Sequence, residues 1–498
     1  MSYLGIFLSI LTEPLKLIYI IIGVTGGVVI GALPGLNGPI GVTLLLPFTY
    51  GMDPATGLLM LSGLYMGSAY GGSISAILIN TPGTGMAACT ALNGYPLTCQ
   101  GRGKEALYYS IFSSTIGGFV GVFFLLLFAP SLATIALRLG PPEMILVMMA
   151  GLFIVGGLSG KDIFKGIFAG AFGILLGTIG PDVVSGATRF SFGFRRLAAG
   201  IPLMPVLIGL FAISEMFTLS MRVGGIRLVD IELQETNPVD IFKKLIKNPL
   251  VFKSSIIGAL IGILPGAGAA IASFFCYGEA KRSSKTPELY GKGCVEGIIA
   301  SESANNAAVG GSMVPLLALG IPGSTTAAIL YGAITIHGII PGPSLFVNNP
   351  EFVHYYMIGM LFTVIVMFLL GYLGINLFIK SLKIKLVYLI PSVIALCILG
   401  SYSVRHNHYD ILIAIIFGII GVIFKRLEIP VAPVLLGLIL GPLTEKSLRQ
   451  TMIISRAAQI SLLKYFLGRP LFIGLFFALS LFGFSIIRVL YKAKNTEL

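Results

Sequence analysis

Apolar stretches long enough to cross a lipid bilayer recur along nearly the whole chain, at 15–35, 55–80, 106–128, 143–159, 163–180, 198–220, 254–277, 294–321, 353–379, 386–400, 410–424 and 470–490. A crossing takes roughly 17–25 residues of helix. A chain built this way has too little polar surface to face water on all sides. Of its 498 residues 56% are apolar and 11% charged, where a soluble domain carries about 25% charged residues. Only helices and closed barrels satisfy their backbone groups in lipid, and the runs are of helix length. The expected fold is therefore all-α, a polytopic transmembrane helical bundle of about 10–13 segments, several of them interrupted by Gly and Pro.

Charge and cysteine usage remove other classes. The formal net charge of +13 is spread over short loops and the C-terminal tail, the pattern of the positive-inside bias, so no nucleic-acid partner is expected. Cys89, Cys99, Cys276, Cys294 and Cys397 lack CxxC spacing and read as small core residues. The opening MSYLGIFLSILTEPLK has neither a basic n-region nor a small-residue cleavage site, so a retained N-terminus is expected. No GxSxG, HExxH or Walker A pattern occurs, so the chain is not expected to be an enzyme.

The same landmarks appear twice in the same order. Gly31-Ala-Leu-Pro-Gly35 matches Gly262-Ile-Leu-Pro-Gly266, and Gly71-Gly-Ser73 with Pro82-Gly83 matches Gly310-Gly-Ser312 with Pro322-Gly323. Asp162 stands to Gly170 and Gly173 as Asp410 does to Gly418 and Gly421, and Pro205-Val-Leu-Ile-Gly-Leu210 matches Pro433-Val-Leu-Leu-Gly-Leu438. Collinear matches of this kind indicate duplication. The expected organisation is a first transmembrane repeat over 1–221, a polar cytoplasmic linker over 222–253, a second repeat over 254–445, and an amphipathic segment with a C-terminal transmembrane helix over 446–498. The two structural repeats are expected to be inverted, with broken or re-entrant helices, the architecture of secondary transporters whose site lies between the repeats. The run 254–277 carries Lys243, Lys244, Lys247 and Lys253 before it and Lys281, Arg282, Lys285 and Lys292 after it. Two basic ends fit a pair of half-helices broken at Pro265 that enters and returns on one face, against a straight span with one cluster tolerated outside.

The breaks are the candidate sites. Asn80, Thr81, Pro82, Gly83, Thr84 and Gly85 in one copy, and Pro322, Gly323, Ser324, Thr325 and Thr326 in the other, combine a Pro-Gly break with hydroxyls ahead of a small-residue run. Free N–H groups at a helix start, helped by hydroxyls, favour an anion such as a carboxylate; the plainer alternative is a tight turn with helix caps. If helical, Glu302, Asn305 and Asn306 share one face, and an acid with two amides in an apolar segment is costly unless it meets a cation, a cavity or a polar partner. The Gly71/Gly310 match puts Gly63, Met66 and Gly67 opposite these three, so the carboxylate belongs to one repeat only. Asn37 offers an oxygen to a cation or serves as a turn residue, and Arg405-His-Asn-His408 reads as a charged loop rather than a metal site. No cofactor and no resident metal are expected beyond a transported Na+ as coupling ion.

At these residues the sequence resembles the large membrane subunit of the tripartite tricarboxylate transporters, the TctA family. Gly31-Ala-Leu-Pro-Gly-Leu-Asn-Gly38, Tyr70-Gly-Gly-Ser73 with Asn80-Thr-Pro-Gly-Thr84, Gly262-Ile-Leu-Pro-Gly-Ala-Gly268, Glu302-Ser-Ala-Asn-Asn-Ala307 and Gly320-Ile-Pro-Gly-Ser-Thr-Thr-Ala327 carry the likeness, which runs from about Gly23 to Ser455. The resemblance implies cation-coupled (sodium or proton) uptake of small organic carboxylates, tri- or dicarboxylates, across the bacterial inner membrane. It also implies two partners, a small four-helix membrane subunit and a periplasmic solute-binding protein. The alternative is a stand-alone channel or permease for organic anions without a binding protein.

Overall fold

The computed structural model describes residues 3–33, 36–158, 162–182, 185–194, 196–221, 234–266, 268–381, 386–477 and 479–480. In the first half, α1 (Tyr3–Thr12) and α2 (Pro14–Ala32) precede α3 (Gly38–Leu45), which tightens into a 3-10 turn at Leu46–Thr49. Then come α4 (Pro54–Ile79), α5 (Ala88–Cys99), α6 (Gly103–Ala136), α7 (Pro141–Leu158) and α8 (Ile163–Gly177). A short antiparallel ribbon of β1 (Gly180–Pro181) and β2 (Thr188–Arg189) leads to α9 (Leu203–Leu207) and α10 (Ser214–Ser220), joined by a π-helical turn. The second half runs α11 (Pro238–Ile246), α12 (Pro249–Ile263), α13 (Gly268–Ser283), α14 (Val295–Leu319), α15 (Thr325–Ile336), α16 (Leu345–Asn348) and α17 (Pro350–Ser381). It closes with α18 (Leu386–Ser403), α19 (His408–Arg426), α20 (Ala432–Ala457) and α21 (Leu462–Leu467).

The all-α polytopic bundle is thus present, but fewer single helices than expected can cross unaided. Among the described residues five are long and apolar enough, Pro14–Ala32, Gly103–Ala136, Leu203–Ser220, Pro350–Phe378 and His408–Arg426. A sixth results if α11 and α12, bent by 70°, count as one. Other apolar runs are half-length helices such as Thr325–Ile336. The runs 55–80 and 294–321 become α4 and α14, buried along almost their whole length. A helix surrounded by protein tolerates small and polar residues that lipid would not.

By their packing the helices fall into two compact units, residues 1–133 with 204–423 and residues 134–203 with 424–498. In the smaller unit α7, α8 and α20 pack together, Gly173 lying against Val434 and Gly437 against Gly170. Its buried acids are ion-paired: Glu143 with Arg469 at 2.6 Å, and Asp182 with Arg189 at 3.2 Å and Arg449 at 2.5 Å.

The larger unit contains two like-built substructures. The Cys276 thiol reaches the Ser254 carbonyl at 3.7 Å and Lys253 pairs with Glu279 at 3.1 Å, so α12 and α13 fold back into a hairpin around the break at Leu264–Gly266. A straight span would set residues 253 and 279 apart by about 1.5 Å per residue. The basic clusters on either side of 254–277 therefore belong to one end of the hairpin. In the first half α2 and α3 form the matching hairpin, with Gly41 against Ile30. Each hairpin is pressed onto its long helix through glycines: Gly27 and Gly31 of α2 on Leu64 and Ser68, Gly258 and Gly262 of α12 on Ala304 and Ala308. Such small-residue contacts let backbones approach closely without help from the hydrophobic effect, which is weak between helices in lipid.

These contacts correct the register read from sequence. Gly27 corresponds to Gly258 and Gly31 to Gly262, so Leu64 corresponds to Ala304 and Ser68 to Ala308. Gly71 against Val28 likewise corresponds to Gly311, not Gly310, against Ala259. The long helices end alike, at the left-handed caps Asn80 (φ 52°) and Gly320 (φ 70°). The first-half counterparts of Glu302, Asn305 and Asn306 are therefore Ser62, Tyr65 and Met66, one residue before those taken from the Gly-Gly-Ser match. The Gly-Gly-Ser match slips by one residue across its paired glycines, whereas the Pro82/Pro322 match already carries the register that the packing shows.

Residues 222–233 of the expected linker lie outside the described residues, as do residues 481–498 of the expected C-terminal helix. The second hairpin begins at Pro249, ahead of the expected start at 254. Cys89, Cys276, Cys294 and Cys397 are buried as expected, whereas Cys99, at the end of α5, is exposed.

Candidate functional site

Both Pro-Gly breaks sit in the same kind of cleft, between the tip of their own hairpin and the end of their own long helix. The Gly83 N–H donates to the Gly72 carbonyl at 3.3 Å, and a Cβ at Gly83 would overlap the Gly31 carbonyl oxygen. Gly323 lies against Gly262 and Ser312, and its carbonyl accepts from the Gly266 N–H at 3.1 Å. Only glycine permits this approach of backbone to backbone, which is why the Pro-Gly pair recurs.

The hydroxyls that follow differ in what they meet. Ser324 caps α15, its Oγ accepting from the Ala327 N–H at 3.1 Å, and its hydroxyl is hydrogen-bonded to that of Tyr65 on α4 at 3.0 Å. Gly38, at the start of α3, lies against Ser68, Thr326 and Tyr65, and Gly268, at the start of α13, lies near Ser324. Three helix starts and a group of hydroxyls from both halves thus gather around Ser324. Thr84 packs on Gly72 and is buried, yet its Oγ1 has no hydrogen-bond partner among the described residues. Asn80 and Gly85 are exposed; Asn80 is the cap of α4, and Thr81 bonds back to the Ile79 carbonyl at 3.1 Å. Pro82 and Thr325 are half-buried and Pro322 buried.

Glu302, Asn305 and Asn306 lie inside α14, fully buried. The carboxylate accepts from four hydroxyls on three helices: Ser73 at 2.6 Å, Thr90, Ser110 at 3.1 Å and Ser114 at 2.9 Å. Each such bond to a charged acceptor contributes about 1.5–3 kcal/mol, which offsets the desolvation of the acid. Four buried acids occur among the described residues, and three are ion-paired, Glu143, Asp182 and Asp410, the last with Arg405. Glu302 is held by hydroxyls alone. Asn305 donates to the Ala69 carbonyl at 3.1 Å and Asn306 donates to Met66 Sδ at 3.2 Å and Met367 Sδ at 3.1 Å. The Oδ1 atoms of both amides are buried without a partner.

Motif reading singled out the breaks and the acid but missed the cradle. Ser73, Thr90, Ser110 and Ser114 are scattered over 40-odd positions, and the only local signal was Ser110 and Ser114 one helical turn apart in an apolar helix. Tyr65, a partner of Ser324, carried no signal at all. Asn37 caps α3, its Oδ1 accepting from the Ile40 N–H at 3.2 Å. His406 and His408 flank Tyr402 beside the Arg405–Asp410 pair, and no cluster of metal-ligating side chains occurs among the described residues. A cavity of about 640 Å³ lies elsewhere, lined by Glu13, Lys16, Asp53 and His354 among others, and includes none of the Pro-Gly residues.

A protein of Agrobacterium vitis described as an uncharacterized 52.8 kDa protein in the TAR-I ttuC' 3' region is 37% identical over 448 residues, covering 89% of this chain and 88% of the relative. A second from the same organism, described as an uncharacterized protein in the TAR-II ttuC' 3' region, is 40% identical over 199 residues, 40% of this chain and 82% of the relative. No solved structure matches. The tripartite tricarboxylate transporter TctA family matches residues 17–436, nearly the whole of the hairpins, long helices and breaks just described. The chain belongs to the TctA family, the large membrane subunit of tripartite tricarboxylate transporters, which are transporters and not enzymes.

Proposed function

We propose that this chain is the permease subunit for cation-coupled uptake of small organic carboxylates across the bacterial inner membrane. It would work with a small four-helix membrane subunit and a periplasmic solute-binding protein. The observation that carries the reading is the gathering of three helix starts and the Ser324, Thr326 and Tyr65 hydroxyls in one unit. Helix starts present N–H groups and a positive dipole end, the chemistry that receives a carboxylate. Coupling to sodium or protons draws support from Glu302, an acid buried in the bundle without a basic partner among the ion pairs described. Intramembrane acids of this kind mark ion pathways.

The test is uptake into proteoliposomes holding this chain with its small membrane subunit. Labelled tri- and dicarboxylates are supplied with or without the binding protein and with an imposed sodium or proton gradient. Accumulation that needs both the binding protein and one of the gradients is the expected result. Full uptake lacking both would favour a stand-alone channel and overturn the proposal.

A further inference from the structure

The two breaks are related by an exchange of halves, and the exchange exposes one unequal pair. Tyr65 of the first half meets Ser324 of the second at 3.0 Å. In the corrected register Tyr65 corresponds to Asn305, and Ser324 to Thr84. The mirrored positions are therefore Asn305 of the second half and Thr84 of the first. The surroundings obey the same exchange. Gly38 with Ser68 and Thr326 has as its counterpart Ala269 with Ala308 and Met86, which pack in one apolar cluster. Where the first pair closes a hydroxyl–hydroxyl bond, the second leaves Asn305 Oδ1 and Thr84 Oγ1 both buried and both without a partner. Asparagine is shorter than tyrosine by most of a phenol ring, so it does not reach the threonine as the phenol reaches the serine.

We infer that Thr84 Oγ1 and Asn305 Oδ1, with carbonyls of the unwound segment 80–87, are ligands of one sodium-sized monovalent cation. The inference deepens the cation-coupled reading proposed above and rests on it. The Asn305 amide oxygen can only accept, so a donor or a cation must satisfy it. The acid in the neighbourhood favours a cation over a neutral donor: Glu302 lies one helical turn before Asn305 and Asn306 without a basic partner among the described ion pairs, so a bound cation is what would stabilise its charged form. Oxygen ligands suit hard cations, and unwound backbone with the C-terminal end of a broken helix is where membrane carriers bind sodium. Thr84 follows the C-terminal end of α4. Glu302 itself is not a ligand here, because four hydroxyls already occupy its two oxygens. It ties α4, α5 and α6 together around the site. The inferred site accordingly belongs to the Thr84 break and not to the Ser324 break, where the Tyr65 phenol fills the equivalent place.

The experiment is thermal unfolding of the purified full chain in detergent, without carboxylate, titrated with sodium chloride against choline chloride at constant ionic strength. A ligand that binds only the folded protein raises its midpoint in proportion to ln(1 + [L]/Kd). Wild type is expected to be stabilised by sodium. Asn305→Tyr, which copies the Tyr65 arrangement, and Thr84→Val should each raise the half-saturating sodium concentration by at least about tenfold, equivalent to about 1.4 kcal/mol of lost ligation. Thr84→Ser, which keeps the hydroxyl, should titrate like wild type. If Asn305→Tyr does not fold, the near-isosteric valine and serine pair at position 84 still decides. Absence of a sodium response in wild type overturns the inference, and so does an unchanged response in both Asn305→Tyr and Thr84→Val. Sodium binding lost in these variants, together with uptake that ignores every cation gradient, would leave the site standing and remove the coupling reading instead.

Discussion

The break after α4 and the break after α14 have the same backbone and opposite chemistry. Both follow a left-handed cap, both press a glycine onto a hairpin carbonyl, and both carry a hydroxyl two residues after proline. Around Ser324 the hydroxyl is bonded and the neighbours are polar, whereas the Thr84 hydroxyl is orphaned, as is the amide oxygen of Asn305 at the mirrored position. Duplication supplied two equal frames, and side-chain substitution made their surroundings differ; on the proposed functions one receives the anion and the other the cation. Symmetry in such a chain is a property of the glycines, and function is a property of what departs from it.

The largest effect in this comparison should come from removing the acid. Glu302→Ala leaves the buried hydroxyls of Ser73, Ser110 and Ser114 without their acceptor, Thr90 keeping Ser301 as a partner, at about 1–3 kcal/mol for each group left unpaired, and should abolish recovery of folded protein in size-exclusion chromatography. Glu302→Gln keeps an acceptor oxygen and should be recovered folded, with uptake reduced at least about tenfold, a barrier change of about 1.4 kcal/mol. Unchanged uptake and ion dependence in that variant would show the acid to be structural.

Next in size is the pair Gly83→Ala and Gly323→Ala. At Gly83 a methyl overlaps the Gly31 carbonyl oxygen outright, while at Gly323 the nearest atom is the Gly262 carbonyl oxygen at 2.6 Å. Overpacking of this kind costs about 1–3 kcal/mol or more. Thermal midpoints should fall further for Gly83→Ala than for Gly323→Ala, and the reverse order would contradict the geometry.

Ser324→Ala removes both a helix cap and the Tyr65 bond, the former worth about 1 kcal/mol. It should lower stability modestly and raise the carboxylate concentration needed for half-maximal uptake. Smallest of all is the stability effect of Thr84→Val without sodium. It deletes a hydroxyl that has no partner, so the midpoint in choline should stay level or rise, in contrast to Ser324→Ala.

The sequence carried the helical class, the duplication and the two breaks because each is written in a local pattern: apolar runs, Leu-Pro-Gly and Pro-Gly. The fold-back at 264–266 was legible from lysines at both ends of one apolar run. The register at Glu302 was misread, since the Gly-Gly-Ser match aligns Gly71 with Gly310, whereas Pro82 with Pro322 and the packing of Gly71 on Val28 and Gly311 on Ala259 set it one residue further on. The burial of α4 and α14 was also hidden, because an apolar run looks the same whether lipid or protein surrounds it. The cradle of Glu302 was illegible for a different reason. Ser73, Thr90, Ser110 and Ser114 come from three helices, and serines facing a carboxylate resemble serines bonded to their own helix until the helices are assembled.

The central claim is that the two breaks have divided the labour, and a paired titration tests it most directly. Ser324→Ala and Asn305→Tyr are each titrated with carboxylate in choline and, separately, with sodium in the absence of carboxylate, following the unfolding midpoint. The account predicts that Ser324→Ala weakens the carboxylate response and leaves the sodium response as in wild type, while Asn305→Tyr does the opposite. Both variants losing both responses to the same degree would contradict it.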